Sequence, residues 1–213
     1  MDYAKQALAE YLGVSADSIQ ELDYDIYEHC YSFETEDGEQ YAVYDSYSDA
    51  EEDAKTDVIE LYDEMGLESF SKDFQKQILT DSDLIDKRWF EEAMEESNRF
   101  YVDDLQDYEV IEMCEDRGIA DEDEDGEYDL DTLRYNLVDS LNDDYEDAVD
   151  WFIDNFGEKE LSQVVKENGL IDEDAVAERV VELDGVANSL ARYDGYENDI
   201  DYDGVTYYIY RVD

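Results

Sequence analysis

Two stretches of this sequence follow one pattern: "DGEQYAVY" at residues 37–44 and "DGVTYYIY" at residues 203–210. Both read Asp-Gly-x-x-Tyr-x-(Val or Ile)-Tyr. An Asp-Gly turn flanked by aromatic and β-branched residues is a strong signal for a β-hairpin. We therefore predict a hairpin near each end of the chain. They are either copies of one duplicated unit or two hairpins of separate origin.

Outside the hairpins, the sequence has the periodicity of helices. A first helix is predicted over residues 2–12. In "DAEEDAKTDVIELYDEMG" (49–66), Ser48 is the expected N-cap and Gly66 the expected stop. The apolar stripe predicted for that helix consists of Ala54, Val58, Leu61, Tyr62 and Met65.

Residues 69–183 are expected to contain helices only. The predicted segments are 71–79, 83–99, 101–117, 129–141, 143–156, 158–167 and 172–183. In the segment 143–156, one apolar face is predicted from Tyr145, Ala148, Val149, Phe152 and Phe156.

Strands at both ends around a helical middle predict an α+β fold, in which the terminal hairpins could share one sheet. The chain contains no proline and no Gly/Ser linker, so we expect a single domain over residues 1–213. Its expected subdivisions are a helix–hairpin–helix (1–68), a helical part (69–183) and a β-hairpin (184–213).

The composition is dominated by acids, with 66 Asp and Glu against 14 Lys and Arg and a formal net charge of -52. This charge disfavours direct binding of nucleic acid or of an anionic membrane surface. The sequence shows neither a secretory signal nor an apolar run of about 20 residues, so we expect a cytoplasmic protein without a membrane segment. Cys30 and Cys114 are expected to be reduced thiols.

Residues suited to catalysis are scarce. His29 is the only histidine and is expected in a strand next to Cys30. No Gly-rich phosphate loop, GxSxG elbow or Walker pattern is present. Carboxylate pairs are too numerous to single out an acid–base site. We therefore expect neither an enzyme nor a bound cofactor.

The stretch "DEDEDGEYDLDT" (121–132) resembles a helix–loop–helix calcium site. Its candidate ligands are Asp121, Asp123, Asp125, Glu127 (through its carbonyl) and Asp129. Thr132 occupies the position at which such loops carry a bidentate Glu. The stretch is either a calcium-binding module or a solvated acidic loop. We expect weak Ca²⁺ binding in both cases. A similar run of alternating aspartates ends at Gly204, inside the second predicted hairpin.

Carboxylates at helical spacing also predict columns of negative charge. The first column consists of Glu52, Asp53, Asp57, Glu60, Asp63 and Glu64 on one helix. The second, predicted on another helix, consists of Asp103, Asp104 and Asp107. The third, predicted on a third helix, consists of Asp143, Asp144, Asp147, Asp150 and Asp154. Residues three and four apart on a helix lie about 5–6 Å from one another. Such rows would present a DNA-like field to a basic groove.

In its acidic helices and lack of catalytic groups, the chain is similar to phage and mobile-element DNA-mimic inhibitors of the antirestriction and anti-CRISPR kind. Its last 30 residues also look like the end of small acidic phage proteins of poorly defined function. The matching positions are Asp184, Gly185, Leu190, Tyr193, Asp194, Gly195, Glu197, Tyr208, Ile209, Tyr210 and Arg211.

These resemblances imply an anti-defence inhibitor that acts stoichiometrically in the cytoplasm of the infected host cell. Its expected partner is a basic nucleic-acid-binding host protein, and a homodimer would lengthen the mimic. Besides the calcium module, two alternatives stay open: a structural protein adapted to high salt and an acidic chaperone for basic proteins.

Overall fold

The computed structural model describes residues 2–120, 128–191 and 194–213. The helices are α1 (Asp2–Leu12), α2 (Tyr47–Met65), α3 (Lys72–Thr80), α4 (Lys87–Asp104), α5 (Asp107–Arg117), α6 (Leu130–Asn142), α7 (Ala148–Phe156), α8 (Glu158–Glu167), α9 (Glu173–Asp184) and α10 (Val186–Leu190). The strands are β1 (Ile19–Glu21), β2 (Tyr31–Thr35), β3 (Gln40–Tyr44), β4 (Asn198–Tyr202) and β5 (Val205–Arg211). The predicted α+β class is confirmed.

The strands form one antiparallel sheet in the order β1-β2-β3-β5-β4. The second strands of the two hairpins lie side by side at its centre, where Val43 is opposite Ile209 and Tyr44 is opposite Tyr208. The two stretches that share the Asp-Gly pattern are therefore neighbours in space. This confirms the prediction that the terminal hairpins share a sheet.

The two Asp-Gly turns have different geometries. In the second hairpin, Asp203 and Gly204 alone connect the strands and have φ angles of 50° and 81°, as a type I′ turn requires. In the first hairpin four residues, 36–39, separate the strands, and Thr35 N donates to Glu39 O at 2.9 Å. Gly38 takes the left-handed conformation there, with φ 85°. Common ancestry of the hairpins stays a hypothesis.

Contacts divide the chain into two compact units, one of residues 1–69 with 173–213 and one of residues 70–172. In the first unit, helices cover both faces of the sheet. Helix α1 packs Ala7 and Leu8 against Phe33 and Val43 in one core cluster. Because successive strand residues point to opposite faces, Tyr44 lies on the other face, which α2 and α10 cover.

The second unit is helical apart from one isolated bridge, between Ile85 and Ile171, among the residues described for it. One core cluster joins α4, α5 and α6, with Val102, Cys114 and Leu137 fully buried. An aromatic cluster joins α4 to α7, where the ring centroids of Phe90 and Phe152 lie 5.6 Å apart. The prediction of a single domain over the whole chain stays a prediction.

Several predicted helix limits are wrong, and at α5 and α7 side-chain caps explain where the helix begins. Helix α4 continues to Asp104, and α5 starts after Gln106, whose capping box with Glu109 fixes the first turn. The helix predicted from residue 143 begins at Ala148, since Asp147 is its N-cap. Helix α2 begins two residues early, after Ser46.

Three residues predicted to face the core are exposed: Leu61 (40%), Met65 (52%) and Phe156 (53%). In α2 the buried stripe runs instead through Ala50, Ala54, Val58 and Tyr62 at intervals of four. Tyr145, predicted on a helical apolar face, lies in the turn before α7. His29 lies in the loop before β2 and not in a strand, while β1 and α10 were not predicted from the sequence.

Candidate functional site

Helix α2 displays the first predicted carboxylate column. Its 19 residues bury Ala54, Val58 and Tyr62, and the helix packs against α9 and α10. Four members of the column are exposed: Glu52, Glu60, Asp63 and Glu64. Asp57 is partly exposed. Because the opposite side of α2 packs against α9 and α10, these five carboxylates are held on its outward side.

Asp53 is the exception, because the prediction placed it on the exposed column whereas its side chain is only 2% exposed. It neighbours Ala54 in the buried stripe, and His29 compensates its carboxylate. The backbone N–H of His29 donates to Asp53 Oδ2 at 3.0 Å, and His29 Nδ1 lies 2.9 Å from Asp53 Oδ1. Both oxygens of a buried acid are therefore bound by one residue.

This pairing raises the pKa of His29 above its usual 6.5, chiefly through the hydrogen bond to Asp53, with the nearby Glu28 and Glu52 adding to it. Cys30, the residue after His29, is buried, and this burial raises the pKa of its thiol. The thiol sulfur lies 3.3 Å from Ser32 Oγ. Burial also raises the pKa of Tyr44, and the nearby Cys30 and Asp53 raise it further. The Tyr44 hydroxyl is buried and faces the Asp53 carboxylate.

A cleft of about 430 Å³ opens where the loop of residues 22–30 meets α2. It is lined by Asp25, Ile26, Tyr27, Glu28, Asp53, Thr56, Asp57, Glu60 and Val212. Within the described part of the chain, every charged group in this lining is a carboxylate. We name it the acidic cleft. Its chemistry suits a cationic group.

No pattern in the sequence singles out Asp25 and Glu28 as members of a site. Both lie in an irregular loop, where no helical period marks a face. The one signal in the sequence is their position in "YDIYEHC" (24–30), next to the single histidine. Only the folding of this loop onto α2 brings them beside Asp57 and Glu60.

The second column is not on one helix, so that prediction is wrong. Asp103 and Asp104 end α4, whereas Asp107 begins α5. Arg134 of α6 joins the two, because its guanidinium donates to Leu105 O at 3.0 Å and to Asp107 Oδ1 at 2.9 Å. All three acids are exposed, and their binding to a partner stays a prediction.

The third column is also interrupted, because only Asp150 and Asp154 lie within α7. Asp143 is the C-cap of α6, Asp144 binds Arg117 at 2.7 Å, and Asp147 binds Lys87 at 2.6 Å. The Arg117 hydrogen bond lowers the pKa of Asp144. These ion pairs fix the turn between the helices. A role of the five acids in partner binding stays a prediction.

Tyrosine hydroxyls act as donors to many carboxylates in this chain of few basic residues. Tyr41 Oη donates to Glu39 at 3.1 Å, and Tyr210 Oη donates to Glu197 at 3.0 Å. Burial, followed by this bond, raises the pKa of Tyr41 to about 12. Burial also raises the pKa of Tyr62 to about 12, with Glu173 and Asp63 adding to it. The abundance of tyrosine thus has a structural use beside acids.

Of the calcium-loop candidates, Asp129 is described and caps α6, with its Oδ2 accepting from Thr132 Oγ1 at 2.8 Å. Asp121, Asp123, Asp125 and Glu127 lie outside the described residues. Over the ranges that are described, no group of three or more His, Cys, Asp or Glu side chains is placed to hold a metal ion. Calcium binding at residues 121–129 stays a prediction.

The positions that resemble small phage proteins lie in the first unit, except Tyr193, which is outside the described residues. Leu190, Ile209 and Tyr210 are fully buried there. Comparison with protein families, curated proteins and solved structures found no match for this chain. Among the described helices, none is long and apolar enough to cross a membrane.

Proposed function

We propose that this protein is a stoichiometric inhibitor that mimics nucleic acid. It occupies the basic groove of a nucleic-acid-binding host defence protein, of the restriction or CRISPR kind, in the cytoplasm of an infected cell. It carries out no chemistry of its own. The phage setting rests on the resemblances of its sequence.

The observation that supports this proposal most directly is the outward side of α2. Residues 52 to 64 span about 18 Å at the rise of an α-helix. Five accessible carboxylates over that length give one charge per about 4.5 Å, near the 3.4 Å between phosphates along one DNA strand. A basic groove would therefore meet a comparable linear charge.

The disposition of the basic side chains also favours the proposal. Lys87, Arg117 and Arg134 each bind an aspartate of their own unit, and Arg211 binds Glu39 at 2.8 Å. Cations bound in this way stabilise turns and strand ends. Because acids outnumber bases by 66 to 14, the surplus carboxylates dominate the field that a partner would encounter.

The test uses the purified chain as bait for a lysate of the host, followed by release of the retained protein with duplex DNA or with RNA. The first variant neutralises the α2 side: Glu52→Gln, Asp57→Asn, Glu60→Gln, Asp63→Asn and Glu64→Gln. The matched control neutralises three Glu and two Asp outside α2: Glu10→Gln, Asp17→Asn, Glu21→Gln, Glu36→Gln and Asp37→Asn.

We expect nucleic acid to release the partner, and affinity to fall by about 10³ or more between 50 and 200 mM salt if six or more charges are matched. The α2 variant should lose binding while the control retains it. A partner that nucleic acid does not displace would refute mimicry. Equal loss in both variants would show that total charge, and not this surface, drives binding.

A further inference from the structure

The loop of residues 22–30 is held to α2 by an unusual pair of contacts. His29 supplies both of them, through its backbone N–H and its ring nitrogen, to the two oxygens of Asp53. Asp53 is almost fully buried, whereas the ring of His29 is 38% exposed. A proton can therefore reach the ring from solvent while the partner carboxylate remains enclosed.

The same loop forms one wall of the acidic cleft through Asp25 and Glu28, and α2 forms the other through Asp57 and Glu60. The remainder of the loop is bound to β2 and α10. Ile26 N donates to Ser32 Oγ at 2.7 Å, and Tyr27 Oη donates to Leu190 O at 3.4 Å. The His29–Asp53 pair thus connects the two walls of the cleft.

We propose that the His29–Asp53 pair is a pH-sensitive latch that holds the loop of residues 22–30 against α2 and so sets the width of the acidic cleft. With His29 protonated, the ring bond joins an imidazolium to a carboxylate. Deprotonation removes the attraction between these two opposite charges and leaves at most a neutral N–H donor to the carboxylate, which is a weaker bond. The latch therefore tightens in acid and loosens as the pH rises. It does not depend on the proposed function.

In the described part of the chain, the charged groups around the His29–Asp53 pair are all carboxylates, and all act in the same direction on His29. Asp53 and Glu52 of α2, and Glu28 of the loop, all favour the protonated ring. From β3, the uncharged Tyr44 hydroxyl faces Asp53, and Cys30 lies beside it on the loop. Because the pKa of His29 is raised in the folded state, its stabilisation is complete below about 6.5 and is lost as the pH rises through the folded value.

The single histidine makes the test direct, because its ring Cε1–H gives one NMR signal that can be followed from pH 5.5 to 8.5. We expect a midpoint above that of an unstructured histidine. Over the same range, hydrogen-exchange protection factors of residues 26–30 should fall with the same midpoint. Amides of α1, on the opposite face of the sheet, serve as the internal reference.

His29→Asn is the matched variant, because its side-chain amide places an uncharged donor near the position of Nδ1. Protection of residues 26–30 should then no longer vary with pH. In Asp53→Asn the His29 midpoint should move down. Should Asp53→Asn fail to fold, the wild-type titration and His29→Asn still decide the matter. Protection that is independent of pH in the wild type would refute the latch.

Discussion

Alkaline pH should unfold this protein through its buried tyrosines, and Tyr41 offers a direct test. Its side chain is 6% exposed and its hydroxyl donates to Glu39. Ionisation would place a phenolate in a buried site beside a carboxylate. The pKa is accordingly raised to about 12, mainly by burial and then by Glu39.

The size of the effect follows from the linkage between proton binding and folding. A tyrosine with a pKa of 10 when unfolded and about 12 when folded gives its full stabilisation below pH 10 and loses it as the pH rises through 12. The loss is about 1.4 kcal/mol at pH 11 and about 2.3 kcal/mol at pH 12. Tyr62, also raised to about 12, should add a similar loss.

Tyr41→Phe separates this effect from the titration of other groups. At pH 8 the variant should be less stable by about 1 kcal/mol, because one hydrogen bond is lost, although Glu39 keeps Arg211. By pH 11 the wild type should have lost this advantage, and by pH 12 the variant should be the more stable. Urea unfolding, monitored by circular dichroism at each pH, measures the difference.

Val43→Ala is the control, since it lies in the same strand and core cluster but has no ionisable group. It should lower stability by a similar amount at every pH. If the wild-type and Tyr41→Phe free energies fall in parallel from pH 8 to pH 12, the assignment of alkaline lability to this hydroxyl is refuted.

Two further predictions concern the backbone and the second unit. Gly204→Ala should lower the free energy of unfolding in urea by about 1–2 kcal/mol, because φ is 81° at this position. Gly204→Asn should lower it less, because asparagine tolerates that conformation. Equal losses in the two variants would contradict the reasoning. Arg134→Lys should cost about 1–3 kcal/mol, since an ammonium cannot reach the acceptors that the guanidinium joins. The control is Arg99→Lys, because the Arg99 side chain is 62% exposed and pairs with Glu95 on the same helix. This variant should change stability by less than about 0.5 kcal/mol. A loss as large as that of Arg134→Lys would contradict the assigned role of Arg134.

The sequence by itself determined the features that depend on neighbouring residues. The Asp-Gly pairs at 37–38 and 203–204 mark real hairpins, because a turn is specified by the few residues that form it. The helices predicted to end at residues 117 and 156 do end there, and each is followed by a glycine with positive φ, Gly118 and Gly157. The α+β class follows from these local signals, and the net charge needs no structure at all.

Only the tertiary structure decided which acids are displayed. Helical spacing placed Asp53 with Glu52 and Asp57, but the fold buries Asp53 and pairs it with His29, 24 residues away. Distant cations bind Asp107 and Asp144, and no periodicity in the sequence indicates those ion pairs. The physical reason is that a helical period fixes which residues share a side. The elements packed against the helix decide whether that side meets water, a cation or the core.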